Sequence, residues 1–178
     1  MNFFRPRSQG AAAWRLVGRT SAFPDLAEGP EATGEPIAAS CKAFTIPPNP
    51  NPNPNPGPQE PTCSVEAAVD DPEALLDMKN QVLVFKYKGK IHAVDHQCPH
   101  SAFPLSQGSL FDIEDFGIVL SAGLTCPKHG WSFDLFSGQG DRGNYKLKVW
   151  EVQLRDLPDE PADTPDQEIW VRRKQRIG

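Results

Sequence analysis

The chain has 178 residues, 38% of them apolar, and a formal net charge of -5 at neutral pH. That length allows one compact domain with extra segments, and the longest apolar-leaning stretch, Gly117 to Leu124, falls far short of the roughly 20 residues a membrane helix needs. No membrane anchor is expected, and the acidic balance argues against a nucleic-acid partner, which requires a basic face.

Charge is uneven along the chain. Residues 1–62 hold five basic and five acidic groups, residues 63–178 thirteen and eighteen. The opening segment carries Arg5, Arg7, Arg15 and Arg19 with no acid before Asp25, the composition of a mitochondrial presequence. Trp14 to Val17 nevertheless alternates apolar and polar residues as a strand does, and cleavage would remove it. A cytoplasmic chain is therefore expected, with residues 1–13 as a tail and the domain running from 14 to 175.

Between Pro47 and Pro58 proline alternates with asparagine. Each proline removes a backbone donor and pushes the preceding residue toward an extended conformation, so this repeat fits neither a helix nor a sheet interior. It reads as a semi-rigid solvated insertion, and residues 27–62 as the loop that carries it. Cys41 and Cys63 flank the repeat without a histidine at ligand spacing; they are read as surface thiols rather than a disulfide. Asp71-Pro72 then offers an N-cap with proline at the first helical position, predicting a short helix over 71–76.

From Val82 the pattern changes. Val82 to Tyr87 and Ile91 to Val94 are two β-rich runs around Lys88-Gly89, a hairpin whose second strand leads into Cys98-Pro99-His100. Further strands are predicted at Ile118–Leu120, Leu124–Cys126, Trp131–Leu135, Tyr145–Leu154 and Ile169–Arg172. Many short strands between turn signals predict an all-β sandwich or barrel.

Cys98-Pro99-His100 and Cys126-Pro127-Lys128-His129-Gly130-Trp131 each bring one thiolate and one imidazole on a short loop. Soft sulfur with imidazole suits zinc or an iron-sulfur centre. A common zinc finger reads Cys-Cys-His-His along the chain, whereas the order here is Cys-His-Cys-His. That interleaving suits a binuclear site in which the first residues of both loops hold one iron and the last residues hold the other.

At this point the chain resembles the Rieske iron-sulfur family, whose signature is Cys-x-His followed by Cys-x-x-His. Pro104-Leu105 after the first loop, and His129-Gly130-Trp131-Ser132-Phe133-Asp134 with Ser137-Gly138, strengthen the likeness to Rieske ferredoxins and to the Rieske domains of ring-hydroxylating oxygenases. The resemblance covers about residues 64–175 and the opening strand with its turn, Trp14 to Leu26. It implies an antiparallel β sandwich or barrel with a cluster-binding subdomain at 98–136. It also implies one 2Fe-2S cluster, with Cys98 and Cys126 on one iron and His100 and His129 on the second.

The chain departs from that likeness in two places. The spacer from Ser101 to Thr125 is longer than the family usually has; its acidic, aromatic segment Phe111 to Phe116 is read as a solvated loop, with a part in docking as the alternative. The respiratory branch places a serine and a tyrosine two and four residues after the second ligand histidine, where this chain has Trp131 and Phe133. It also has a disulfide-forming cysteine in each loop, for which this chain has no counterpart among Ser101, Ala102, Phe103 and Lys128.

Two ferric ions, two sulfides and two thiolates sum to zero formal charge, so histidine ligation eases reduction and gives potentials of about -150 to +300 mV. Without the two hydroxyl donors the expectation is the low end, roughly -150 to 0 mV. Ferric iron should also acidify the free imidazole N–H, coupling reduction to protonation at high pH. An oxygenase would need a mononuclear iron held by two histidines and a carboxylate. Only His92 and His96 remain for that role, and they are read as surface or supporting residues. The function expected is one-electron transfer between a flavoprotein reductase and an acceptor oxidoreductase, without substrate chemistry of its own. The alternatives are an accessory component of an oxygenase system and a structural zinc or redox-sensing module.

Overall fold

The computed structural model describes residues 14–27, 37, 40–46, 65–69, 71–159, 161 and 165–174. The tail, the Pro/Asn repeat and Cys63 lie outside them. The organising strand is β4 (Gln81–Tyr87), whose residues from Gln81 to Phe85 are all buried. Alternate side chains of a strand leave opposite faces of its sheet, and here both faces are covered. Leu83, Phe85 and Tyr87 enter one hydrophobic core and Val82 and Val84 another. The unbroken apolar run therefore marks a strand buried on two sides.

Around it, β2 (Lys42–Thr45), β3 (Val65–Ala67) and β5 (Lys90–Asp95) complete a four-stranded antiparallel sheet in the order β3-β2-β4-β5. On one side lies the sheet β1-β10-β9, formed by Arg15–Arg19, Gln167–Arg173 and Trp150–Asp156. Val17, Ile169, Val171 and Trp150 from it pack on Val82, Val84 and Phe44. On the other side lies β6-β7-β8, formed by Ser109–Asp115, Ile118–Cys126 and Trp131–Asp134. Its Leu110, Leu124 and Phe133 pack with Leu83, Phe85, Cys98 and Cys126. The fold is all-β and antiparallel, as expected. A single helix turn α1 (Pro72–Leu75) starts where predicted, with the Asp71 carboxylate accepting from the Glu73 N–H at 2.9 Å. No helix among the described residues is long and apolar enough to cross a membrane.

Four expectations need correction. Strand β2 falls inside the span read as a loop and pairs with both β3 and β4. Four residues beside a proline repeat carry too little periodicity to register as a strand, and it is sheet pairing that orders them. Cys41, just before β2, is buried rather than at the surface and belongs to the core shared with the ligand loops.

The segment Phe111 to Phe116, read as a solvated loop, belongs to a hairpin: β6 pairs with β7 from Ser109↔Thr125 to Asp115↔Ile118. Ile118–Cys126 is one continuous strand, with Gly123 lying under the Phe111 ring. Its turn has φ of 50° at Phe116 and 76° at Gly117, the left-handed pair of the tight hairpin turn. The alternation Leu110, Phe111, Ile113 against Asp112 and Glu114 is irregular, with a register shift between Ile113 and Glu114. Lastly, the strand expected from Tyr145 begins only at Trp150, because residues 146 and 149 form isolated bridges to Gln139 and Val94.

Candidate functional site

The two ligand loops share one backbone device. Ala102 N–H donates to the Cys98 carbonyl and Gly130 N–H to the Cys126 carbonyl, each at 3.0 Å. Both fifth residues are left-handed, with φ of 54° at Ala102 and 69° at Gly130. Glycine suits that conformation; Ala102 adopts it under constraint, its loop closed by a second bond from Cys98 N–H to Phe103 O at 2.9 Å. A turn of this shape tucks the leading cysteine inward and lifts the histidine after it outward. Cys98 and Cys126 are each 1% exposed, whereas His129 is exposed and His100 half-buried.

The four predicted residues fall into two pairs. Cys98 and Cys126 lie close enough to interact with each other, and the rings of His100 and His129 are 5.1 Å apart at 74°. Among the described residues no three His, Cys, Asp or Glu side chains close on one point; the site offers a thiol pair and an imidazole pair. Burial pushes the Cys126 thiol up, opposed by the Lys128 N–H and the Ser101 hydroxyl, while the neighbouring Cys98 adds to the rise.

One buried atom of the donor set suits a metal cluster. His100 Nδ1 is buried and has no hydrogen-bond partner, a state that costs free energy unless something binds there. Its ring is held as a ligand's would be, stacked on Trp131 at 4.1 Å and 15° and met edge-on by Tyr145 at 5.1 Å. Trp131 is fixed in turn by Tyr145 at 5.1 Å and by the Arg142 guanidinium 5.7 Å from its ring. Residues 139–145 thus form a third flap over the first two loops.

Beneath the first loop sits a polar network that sequence reasoning missed. His96, expected at the surface or in a supporting role, is fully buried and does support. Its Nδ1 lies 2.7 Å from Gln81 Oε1 and its Nε2 2.9 Å from Ser106 Oγ. Gln81 Nε2 donates onward to the Ala74 carbonyl at 2.6 Å. Burial lowers the His96 pKa to about 4, so the ring is neutral and can donate from one nitrogen while accepting at the other. His92 is also buried, stacked on Phe85 at 5.6 Å. Neither histidine has the exposure expected of a surface residue, because the hairpin that carries them is the middle layer.

Ser101 is the second omission. Its hydroxyl lies 3.6 Å from Cys126 Sγ, reaching across from the first loop to the cysteine of the second. Trp131 and Phe133 supply no hydroxyl, yet a hydroxyl does reach a ligand sulfur from a position where the respiratory pattern offered no guide.

Comparison with known proteins places the chain in a family. The family model for the Rieske [2Fe-2S] domain matches residues 61–151, which include both loops. The ferredoxin component of an alkene monooxygenase system from Xanthobacter autotrophicus is 34% identical over 79 residues, covering 44% of this chain and 58% of that protein. The 3-phenylpropionate/cinnamic acid dioxygenase ferredoxin subunit of Photorhabdus laumondii is 31% identical over 96 residues, 53% of this chain and 84% of the relative. A human Rieske domain-containing protein is 40% identical over 60 residues, 34% of this chain and 35% of its own length.

Proposed function

This chain belongs to the Rieske [2Fe-2S] domain family, and from that premise we propose that it is a one-electron carrier between a flavoprotein reductase and an acceptor oxidoreductase of the oxygenase kind. The observation that carries the reading is the pairing of two buried thiols and of two imidazoles on paired loops. The names of the two bacterial relatives, a ferredoxin component and a ferredoxin subunit, support the carrier role and the class of partner.

In this reading Cys98 and Cys126 hold one iron, His100 and His129 the other. The bound 2Fe-2S cluster supplies a reversible one-electron couple whose potential is raised by its histidine ligands. The protein does the rest. Burial of both cysteines keeps water from the sulfurs, and the Gln81–His96–Ser106 network fixes the base of the first loop. Trp131 and Tyr145 hold the His100 ring, and exposed His129 presents an edge to a partner. The absence of hydroxyls at Trp131 and Phe133 supports a potential of roughly -150 to 0 mV, with Ser101 raising it within that window. The cluster-binding part spans residues 98–136 of a domain running from 14 to 175, and the compartment proposed is the cytoplasm, since β1 (Arg15–Arg19) is an integral strand of its sheet.

The test is electron paramagnetic resonance of the purified, dithionite-reduced protein with iron, sulfide and zinc assayed on the same sample. A rhombic signal with the low average g of mixed His/Cys ligation and about two irons per chain is expected. An EPR-silent protein with stoichiometric zinc would overturn the carrier reading.

A further inference from the structure

The chain is acidic, but not uniformly so over its surface. A groove of about 660 Å³ is lined by Lys146, Lys148, Arg173 and Lys174 against a single carboxylate, Asp95. That carboxylate accepts from Trp150 Nε1 at 2.8 Å and also attracts Arg173 and Lys148, and the Arg173 guanidinium lies 4.8 Å over the Trp150 ring. Lys146 and Lys148 are exposed while Leu147 between them is buried, so the chain's alternation turns both ammonium groups to one side. None of the salt bridges among the described residues takes any of the four cations. Phe136, 47% exposed, gives the groove an apolar rim, and Lys90 sits 5.0 Å over its ring.

Position gives this patch its meaning. Lys146 directly follows Tyr145, whose ring meets the His100 ring at 5.1 Å. Lys146 is thus the next residue in the chain after an aromatic that touches a candidate ligand. At physiological salt the Debye length is about 8 Å, so a docked surface feels the nearest charges most, the four cations together with Asp95 and the Asp134 carboxylate that accepts from the Phe136 and Ser137 N–H groups, and the rest of the net charge of -5 less. Desolvated at an interface, an apolar rim with a cationic floor selects a partner with carboxylates around an apolar centre.

We propose that the groove between Phe136 and Lys174 is the docking surface for an acidic face of the redox partner. The proposal rests on the carrier reading and supplies what that reading lacks, the chemistry of the partner's surface.

The experiment follows oxidation of the reduced holoprotein by stopped flow with two small oxidants of opposite charge, anionic iron(III)–EDTA and cationic hexaamminecobalt(III). Each takes one electron from the reduced cluster, becoming iron(II)–EDTA or the cobalt(II) complex. The groove variant Lys146→Glu/Lys148→Glu is compared with a remote variant of equal charge change, Lys42→Glu/Lys86→Glu, with midpoints measured so that driving force is separated from access. In the groove variant the anionic oxidant should slow about tenfold and the cationic one should quicken, while the remote variant changes either by less than about twofold. Hexaglutamate should inhibit iron(III)–EDTA oxidation of the wild type and leave the groove variant untouched. Equal responses of the two variants, tracking net charge alone, would overturn the docking surface while leaving the carrier reading intact. A wild-type protein with no dithionite-reducible centre would overturn both.

Discussion

Replacing Ser101 by alanine removes one hydroxyl donor, at 3.6 Å from Cys126 Sγ, and leaves every ligand in place. A hydrogen bond to a charged acceptor is worth about 1.5–3 kcal/mol, and a sulfur contact of this length belongs at the low end. Only the part that differs between oxidation states moves the potential. The reduced cluster carries one more negative charge and pulls harder on the donor, so roughly half of the bond, about 0.7 kcal/mol, is differential. A tenfold change in a one-electron equilibrium is 59 mV, so S101A should lower the midpoint by roughly 30 mV. S101T keeps the hydroxyl and should stay near the wild type. Protein-film voltammetry at pH 7 reads both. An S101A midpoint within about 10 mV of wild type, or above it, would refute the assignment of Ser101 as a donor to the ligand sulfur.

Other expectations concern the scaffold. Gly138 has φ of 76°, and a Cβ there would lie 2.0 Å from the Leu147 carbonyl oxygen; Gly138→Ala should therefore cost about 3 kcal/mol or more, seen as a lower thermal midpoint. Burial lowers the His92 pKa from 6.5 to about 4, with Lys90 adding to the shift. The unfolded chain binds that proton first as pH falls, so stability is full above pH 6.5 and is lost toward pH 4, by about 3 kcal/mol at most. Denaturant titrations at pH 7 and pH 5 should show the loss, and His92→Leu should shrink the difference between them; an unchanged difference would assign the acid sensitivity elsewhere. Trp131→Ala removes the ring stacked on His100, and visible absorbance of the oxidised protein should bleach several-fold faster in chelator than in wild type. Cys98→Ser should purify without the cluster's colour.

The ligands were legible because each Cys/His pair is local. Cys98-Pro99-His100 and Cys126 to His129 are set by turns of five residues, and a turn's chemistry is written in consecutive positions. The β4–β5 hairpin was legible for a similar reason, its apolar runs meeting at Lys88-Gly89, which has φ of 48° and 75°. What depends on distant partners could not be read. Strand β2 exists because β3 and β4 flank it, and the β6–β7 hairpin carries a register shift that breaks its period.

The amino-acid sequence by itself therefore determined the candidate donor set, its order along the chain and the all-β character. These come from short-range spacing and side-chain alternation. Tertiary structure alone decided which sulfur receives the Ser101 hydroxyl, why His96 is neutral and buried, and where the cations gather. Residues 95, 136, 146, 148, 173 and 174 become neighbours only when β5 meets the chain entering β9 and β10 ends beside them. Charge in a sequence is a sum, whereas a partner meets a surface, and screening makes the nearest few charges count most.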